Sequence, residues 1–361
     1  MKKEQNMQGC TTKRTSIGGQ ALIEGIMMRG PHYSAMAVRN PEGEIVLEKW
    51  ENSTSRRPQV CKWPFVRGIF NFVDSMRAGY KALMRSAEIA GLEEETVEVP
   101  ASEPEQENIT DATNEQKSEE TVKISNPPKT NKKESKAEQG TPWYFNLLMV
   151  ISAILGVVIA IGLFLYLPAQ LFSWLTLAIP ALDGNYLVRA IFEGILRISL
   201  FVAYMAAVSL MKDIKRTFMY HGAEHKTIFC YEQGMPLTVE NVKKQRRFHP
   251  RCGTSFMILM LLVSIIISMF IRLDNAFLRT LIKLLLIPLI VGIGYELIKL
   301  AGRKDNLFTR IISAPGMWLQ RISTKEPEED TMIECAILAF MEVLPDEELR
   351  AEKETLKQTE Q

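Results

Sequence analysis

Three of the four histidines in this 361-residue chain lie between positions 221 and 249. His221 and His225 are four residues apart, so a helix would place both imidazoles on one face, with Glu224 beside them. Such a pair can chelate a metal ion. The order His-x-x-Glu-His is the inverted form of a zinc-protease signature, in which the glutamate is the base acting on a water at the metal. We therefore predict that His221 and His225 are metal ligands and that Glu224 is a catalytic base.

A second pair of potential ligands follows a few dozen residues later. His249 and Cys252 stand at His-x-x-Cys spacing, and we predict that they complete the ligand set of a Zn²⁺ ion. Four protein ligands would make a closed structural site, whereas an open position is needed for hydrolysis. The alternative without metal is a capped or salt-bridged surface helix.

Four other polar residues are candidates to orient these ligands or to replace one of them. Glu296 is predicted near the end of the last apolar segment, on the same side as the histidines. Its alternative role is an ion pair with Lys299 or with a neighbouring helix. Gln20, Glu24 and Arg29 lie among closely spaced glycines, which would allow the backbone to approach a ligand. Their alternative role is that of turn and surface residues.

Composition excludes some classes of function. The formal net charge is +1, so bulk charge gives no reason to expect a nucleic-acid partner. Five cysteines at wide spacing form no disulfide framework, and their odd number favours reduced thiols on the cytoplasmic side. Residues 1–15 are polar, are not a signal peptide and are predicted to be disordered. Residues 92–142 are poor in apolar side chains and are predicted to be a disordered linker.

The first folded unit is predicted over residues 16–91, as a small cytoplasmic α+β unit. Apolar and polar residues alternate over 34–39 and 44–50, and the Asn-Pro-Glu-Gly turn between them predicts a β-hairpin. Apolar residues at helical spacing over 64–90, with basic residues on the other faces, predict an amphipathic helix. This helix would lie on an anionic membrane surface, pack on the hairpin, or do both.

Residues 143–303 are dominated by apolar side chains. Four transmembrane helices are predicted near 145–167, 187–211, 256–273 and 281–300, because each apolar run approaches the length needed to cross a bilayer. Residues 168–182 are short and bounded by prolines, which favours an interfacial or re-entrant segment. The predicted fold class is an α-helical polytopic membrane protein with the small cytoplasmic α+β unit at its N-terminus.

The basic residues predict the orientation. The loop 212–255 carries nine Lys and Arg residues, whereas the connection between the first two spans is nearly uncharged. Both termini and the His/Cys loop are therefore placed in the cytoplasm, with the protein crossing the membrane several times. The lipid bilayer is the expected partner.

The C-terminal region is predicted to be cytoplasmic as well. Residues 304–345 form an amphipathic segment, in which a helix capped by Asp330 runs to about Val343 and returns to the N-terminal unit. Residues 346–361 are a charged tail.

Four separate motifs resemble those of the YqhQ family of bacterial membrane proteins. They are the glycine-rich segment 18–31, His-Gly-Ala-Glu-His-Lys at 221–226, His-Pro-Arg-Cys-Gly-Thr-Ser-Phe at 249–256, and the segment 314–327, which contains Ala-Pro-Gly-Met-Trp and Thr-Lys-Glu-Pro. The resemblance covers nearly everything except the linker and the two ends. It implies an uncharacterised family that is labelled as a predicted metal-dependent enzyme.

Two hypotheses of different classes follow. In the first, the chain is a cytoplasm-facing membrane metalloenzyme, a zinc-dependent hydrolase in which Glu224 is the base. In the second, it is a non-catalytic scaffold or membrane-protein biogenesis factor, whose His/Cys loop is a structural metal clip or a hydrogen-bonded docking surface for a membrane protein or peptide. A homo-oligomer is compatible with both. A transporter is disfavoured because the predicted spans show no inverted repeat.

Overall fold

The computed structural model describes residues 15–52, 59–92, 143–250, 252–303 and 307–359. The predictions of disorder for 1–15 and 92–142 fall almost entirely outside these ranges. The described cysteines Cys61, Cys230, Cys252 and Cys335 form no disulfide with one another.

The N-terminal unit is a four-stranded antiparallel sheet in which each strand pairs with the next one along the chain. The glycine-rich segment forms strands β1 (Gly18–Leu22) and β2 (Gly25–Arg29). Strands β3 (Tyr33–Arg39) and β4 (Ile45–Glu51) form the predicted hairpin. The sequence therefore predicted this hairpin correctly, although it did not show how many strands the sheet contains.

Both faces of the sheet are covered, which explains why β2 and β3 are almost continuously apolar. One face, with Ile26 and Met28, packs against helices α5 (Lys212–Glu232) and α11 (Asp330–Val343). The other face, with Met27 and Met36, packs against α1 (Val66–Ile89). Successive residues of one strand thus meet different helices.

Helix α1 contacts both the sheet and an apolar helix. Ala82 packs on the sheet, whereas Met76 and Tyr80 stay exposed. The expectation that the stripe packs on the hairpin is therefore met by part of it only. Toward its N-terminus, Gly68 lies against the side chain of Tyr295. A larger residue than glycine would hold the two helices apart at this point.

The apolar region differs from its prediction at the prolines. Helix α2 (Trp143–Ile161), a π-helical turn (Gly162–Tyr166) and helix α3 (Leu167–Ala178) follow one another without a break. They form a continuous apolar helix over Val150–Ala178. Pro168 lies inside this continuous helix, directly after the π-helical turn. The carbonyl of Phe164, four residues earlier, accepts from Arg197 instead of from the N–H that proline lacks. The prediction of a separate interfacial or re-entrant segment at 168–182 was therefore wrong for most of its length.

The number of spans is also corrected. Within the described residues, two helices are long and apolar enough to cross a membrane, namely Val150–Ala178 and α4 (Tyr186–Val208). Helices α8 (Ala276–Leu285) and α9 (Ile287–Arg303) make a third only if they count as one span, because they meet at a bend of 50°. Helix α7 (Gly253–Ser268) has 16 residues, about 24 Å. It is short against a hydrocarbon core of about 30 Å.

The remaining helices enclose the histidine-bearing helix. They are α6 (Val239–Lys243), α10 (Leu307–Ser323) and α12 (Asp346–Thr359). Helix α10 packs along α7, and α11 lies against both the sheet and α5. The predicted return of α11 to the N-terminal unit is thus observed. The residue at its N-cap is Glu329, so Asp330 is the first helical residue and not the cap.

Candidate functional site

The His-Gly-Ala-Glu-His-Lys motif lies in the second half of α5, where nearly every residue is buried. Its residues point in different directions because successive side chains on a helix are rotated by about 100°. His221 and His225 share one face, as predicted from their spacing, and their ring centroids lie 4.4 Å apart. Glu224 faces strand β1 instead. One short motif therefore meets several neighbouring elements.

Both imidazoles are oriented by backbone carbonyls. His221 Nδ1 donates to the carbonyl of Ser323 at 2.8 Å, and His225 Nδ1 donates to the carbonyl of Arg247 at 2.5 Å. A carbonyl oxygen only accepts, so the proton of each neutral ring lies on Nδ1. In this neutral form Nε2 carries the lone pair, and this is the form in which a histidine binds a metal. Carbonyl partners of this kind commonly orient histidines that bind a metal.

Cys252 lies where the two Nε2 atoms point. It is the N-cap residue of α7, and its Sγ is 3.1 Å from His221 Nε2. The ligand atoms of His221, His225 and Cys252 all lie within 4.8 Å of one another. This separation is close enough for one ion to bind all three after small side-chain shifts, given Zn–N of about 2.0–2.1 Å and Zn–S of about 2.3 Å.

Electrostatics favour a thiolate in this group. Burial would raise the pKa of Cys252, but the neighbouring His221 and His225 outweigh it and hold the pKa well below its usual range. Burial would likewise lower the pKa of His221, but the charge and hydrogen bond of Cys252 raise it to about 9. Without a metal, the pair is therefore a thiolate beside an imidazolium. A divalent cation would replace that imidazolium proton and keep the thiolate.

Glu224 is next to His221, His225 and Cys252 but does not belong to the group that could hold an ion. Its carboxyl is buried, it hydrogen-bonds with the backbone of Gly19, and burial raises its pKa. Its Oε2 has no hydrogen-bond partner among the described residues. The raised pKa makes this carboxylate a stronger base than an exposed glutamate.

Two further residues of the motif fix α5 against the Thr-Lys-Glu-Pro segment. Gly222 lies directly under the backbone carbonyl of Lys325, where any side chain would clash. Lys226 is buried and pairs with Glu326 at 2.6 Å. The fourth motif of the sequence therefore packs on the second, through a glycine that leaves room for a carbonyl and through an ion pair.

His249, predicted as a ligand, lies outside this group. Its Nε2 is 3.6 Å from a carboxylate oxygen of Glu232, and its ring packs on Phe229. Its backbone is held by the side chain of Gln320, which accepts from the N–H and donates to the carbonyl, both at 2.7 Å. His249 therefore helps to fix the segment that leads to Cys252, and the geometry does not place it among the ligands.

The candidate residues of the glycine-rich segment do not converge on the histidines. Gly19 faces Glu224, so its neighbour Gln20 points to the opposite side of the sheet, against Gly79 of α1. Arg29 lies at the end of β2 in register with Gly18, on the same side of the sheet as Gln20. Strand alternation alone separates these residues from the site.

Glu24 and Glu296 are also engaged elsewhere. Glu24 forms an ion pair with Arg216, which pairs in turn with Glu329. Glu296 accepts two hydrogen bonds from Arg67 of α1, at 2.7 and 2.5 Å. The alternative of an ion pair with a neighbouring helix is therefore the observed one for Glu296. Its predicted role beside the metal ligands was wrong.

Sequence reasoning missed the groups that hold the ligands in place. Backbone carbonyls carry no sequence signal, so those of Ser323 and Arg247 could not be found. Gly19 and Gln320 were visible only as parts of longer motifs. Glycine at a position of close approach and a buried glutamine paired with backbone are recognisable only once their neighbours are known.

The comparisons with known proteins assign the chain to a family. Residues 63–346 match the family described as a protein of unknown function, DUF1385, and the chain belongs to that family. Over 334 residues it is 32% identical to a protein of Bacillus subtilis (strain 168) described as uncharacterized protein YqhQ. The similarity covers 91% of this chain and 92% of that protein. The resemblance found in the sequence motifs is thus confirmed. No solved structure matches the chain.

Proposed function

We propose that this protein is a membrane-embedded metalloprotein that binds Zn²⁺ through His221, His225 and Cys252, and that it acts as a hydrolase. The observation that carries the proposal is the shared orientation of the two imidazoles. Each donates a hydrogen bond from Nδ1 to a backbone carbonyl, and both rings present Nε2 to the same sulfur. Buried imidazoles need hydrogen-bond partners in any case, so the feature that supports a metal is that both rings face one thiol.

The hydrolase assignment rests on the fourth coordination position of a zinc ion, which the three side chains would leave open to substrate or water. Three protein ligands are typical of catalytic zinc, which supplies a Lewis acid to a substrate carbonyl or phosphoryl group. Glu224 lies beside the three ligands with one carboxylate oxygen unpaired among the described residues. In this proposal Glu224 takes the proton from the attacking water, and Gly19 holds its carboxyl in place.

A second candidate function has one observation in its favour, which is the burial of the group. His225 and Cys252 are less than 10% exposed, and the ligands join α5 to the start of α7. A metal bound there would hold α5 and α7 together without catalysing a reaction, as the scaffold hypothesis requires. Glu224 would then be a structural carboxyl.

Metal content tests the site itself. Purified full-length protein should contain about one zinc per chain by elemental mass spectrometry, and His225→Ala and Cys252→Ala should each lose most of it. The exposed His32 offers a matched control, so His32→Ala should keep wild-type zinc. Equal and negligible zinc in the wild type and in both ligand variants would end the proposal.

The variant Glu224→Gln distinguishes a catalytic metal site from a structural one. The amide is similar in size to the carboxyl but cannot accept the proton. If the protein is a hydrolase, this variant keeps its zinc and its fold but fails to complement a deletion strain. Full complementation by a folded, zinc-loaded Glu224→Gln protein would favour the scaffold instead.

For the membrane placement we propose a multi-pass protein of the bacterial cell membrane, with both termini and α5 on the cytoplasmic side. Support comes from the basic residues of 212–255 and from the exposed apolar helices. A green fluorescent protein fused after the last residue should fluoresce, and alkaline phosphatase fused at Gly184 should be active. The reverse pattern would invert the orientation.

A further inference from the structure

A second group of charged side chains lies among the apolar helices. Helix α4 carries Arg189, Glu193 and Arg197 at four-residue intervals, and α8 carries Arg279 and Lys283 at the same interval. None of the five is more than 7% exposed. Charged residues buried in apolar surroundings are costly unless they are paired, and they commonly mark a functional site.

Glu193, the buried carboxylate of this cluster, lies against two of its cations, although its Oε1 has no hydrogen-bond partner among the described residues. Glu193 accepts from Lys283 and forms an ion pair with Arg279 at 3.1 Å. Arg189 pairs with Asp274 at 3.3 Å, although that carboxylate is largely exposed. Arg197 forms no ion pair with any residue that the structure describes.

Positive charge therefore exceeds negative charge in the cluster. Arg189, Arg197, Arg279 and Lys283 are four cations. Among the residues that the structure describes, Glu193 and Asp274 are the carboxylates that pair with them, which leaves an excess of two. If Lys283 were neutral, an excess of one would remain, because arginine does not lose its proton in proteins.

No other carboxylate of these helices is placed to compensate. The sequence has four carboxylates in 143–208 and 252–300, and Glu193 alone is buried. Asp183 is exposed, and Glu296 pairs with Arg67 of α1. The imbalance is thus a property of the whole apolar region and does not arise from the choice of a few residues.

Open donors accompany the charge. Arg197 uses Nε for the carbonyl of Phe164 at 3.0 Å and Nη1 for Ser264 at 3.1 Å. Its Nη2 is buried and has no partner among the described residues, and the same holds for Arg279 Nε. Phe164 belongs to the π-helical turn, and such turns are frequent at functional sites. The guanidinium is therefore held in a fixed direction by two acceptors while one N–H group remains available.

We propose that this cluster between α4 and α8 binds an oxyanion of the phosphate class, with Arg197 as its principal ligand. Guanidinium groups match the geometry of phosphate oxygens and are less strongly hydrated than ammonium groups. The anion supplies the missing negative charge and accepts from the open donors. Its source is either a phospholipid headgroup or free inorganic phosphate. This binding site is independent of the zinc site proposed above.

Thermal unfolding of the full-length protein in an uncharged, phosphate-free detergent tests the proposal in two arms. One arm adds inorganic phosphate, with chloride at equal ionic strength as its blank, and the other adds phosphatidylglycerol to the micelles. At saturation the bound anion should raise the melting temperature by about 5 °C or more. The arm that gives the shift identifies the source, and no shift in either arm overturns the proposal.

Variants locate the effect. Arg197→Gln should weaken the response at least about tenfold in the concentration needed. The exposed Arg272 of the nearby loop is a matched control, and Arg272→Gln should respond as the wild type does. Glu193→Gln should respond at lower anion concentration, because it increases the charge excess. A wild-type response in Arg197→Gln would overturn the proposal.

A measurement on the wild type covers the case in which Arg197→Gln does not fold. Native mass spectrometry of the protein purified in the same detergent should show an adduct with the mass of a phospholipid or a phosphate. The proposal would be overturned if the protein shows no such adduct under conditions in which a reference membrane protein keeps its known lipid adducts.

Discussion

The close contact between Gly19 and Glu224 gives the sharpest prediction. A Cβ at position 19 would lie 2.6 Å from Glu224 Cδ, about 0.8 Å short of the 3.4 Å at which ordinary contact begins. Glu224 is 4% exposed, so its side chain has little room to retreat. We therefore expect Gly19→Ala to carry an overpacking cost of about 2 kcal/mol.

The adjacent glycine provides the control. A Cβ at Gly18 would meet nothing within 4 Å, and neither glycine has a positive φ. Both substitutions reduce the entropy of the unfolded chain, which stabilises by about 0.4–1 kcal/mol. This term cancels between them, so Gly19→Ala should melt about 4–8 °C below Gly18→Ala. Thermal unfolding of both proteins in the same detergent measures the difference.

A double variant distinguishes steric conflict from other causes. Glu224→Ala removes the atoms that the new Cβ would meet, so Gly19→Ala should cost little in that background. The two changes should then couple by about 0.5–3 kcal/mol in a double-mutant cycle. Equal melting temperatures for Gly19→Ala and Gly18→Ala, or strict additivity with Glu224→Ala, would refute the placement of Glu224 against β1.

Three further predictions concern the surroundings of the site. Gly222→Ala places a Cβ against a backbone carbonyl that cannot rotate away, so it should lower the yield of folded protein sharply, whereas Gly156→Ala, which meets nothing, should not. Gln320→Ala leaves two buried backbone groups without their partner, at about 1–3 kcal/mol each, and thermal unfolding should show the loss. The Arg216 guanidinium lowers the pKa of Glu329, so Glu329 stabilises above its unfolded pKa of about 4.5 and loses this effect as the pH falls further. The difference in melting temperature between wild type and Glu329→Gln should therefore shrink below pH 4.5, and a constant difference would contradict it.

The parts of the fold that follow from local patterns were predictable. The β3–β4 hairpin and helix α11 have strong alternation or helical spacing, and the structure places both within a residue or two of their predicted limits. Pro168 misled the prediction because a proline usually ends or kinks a helix, whereas here the helix continues through it directly after a π-helical turn. The bend at Leu286 was missed, and one span was predicted over 281–300, because apolar composition alone does not show a bend.

The candidate site was predictable only in part, for a physical reason. Histidine spacing on a helix is local, so the pairing of His221 with His225 could be read from the sequence. The partner of Glu296 depends on how α1 crosses α9, and that crossing depends on small residues such as Gly68. Contacts between distant elements are decided by packing, which a single sequence does not reveal.

The order of synthesis matters for the group formed by His221, His225 and Cys252, because residues that hold it in place are made after it. Gln320 and the Ser323 carbonyl follow the His225 helix by about a hundred residues. A growing chain therefore carries the Cys252 thiol before the helix that encloses it has been made. During that interval the sulfur is open to oxidants and to any thiophilic ion. In the proposed zinc site, the hydrogen bond that orients His221 would form only after the end of α10 has been made.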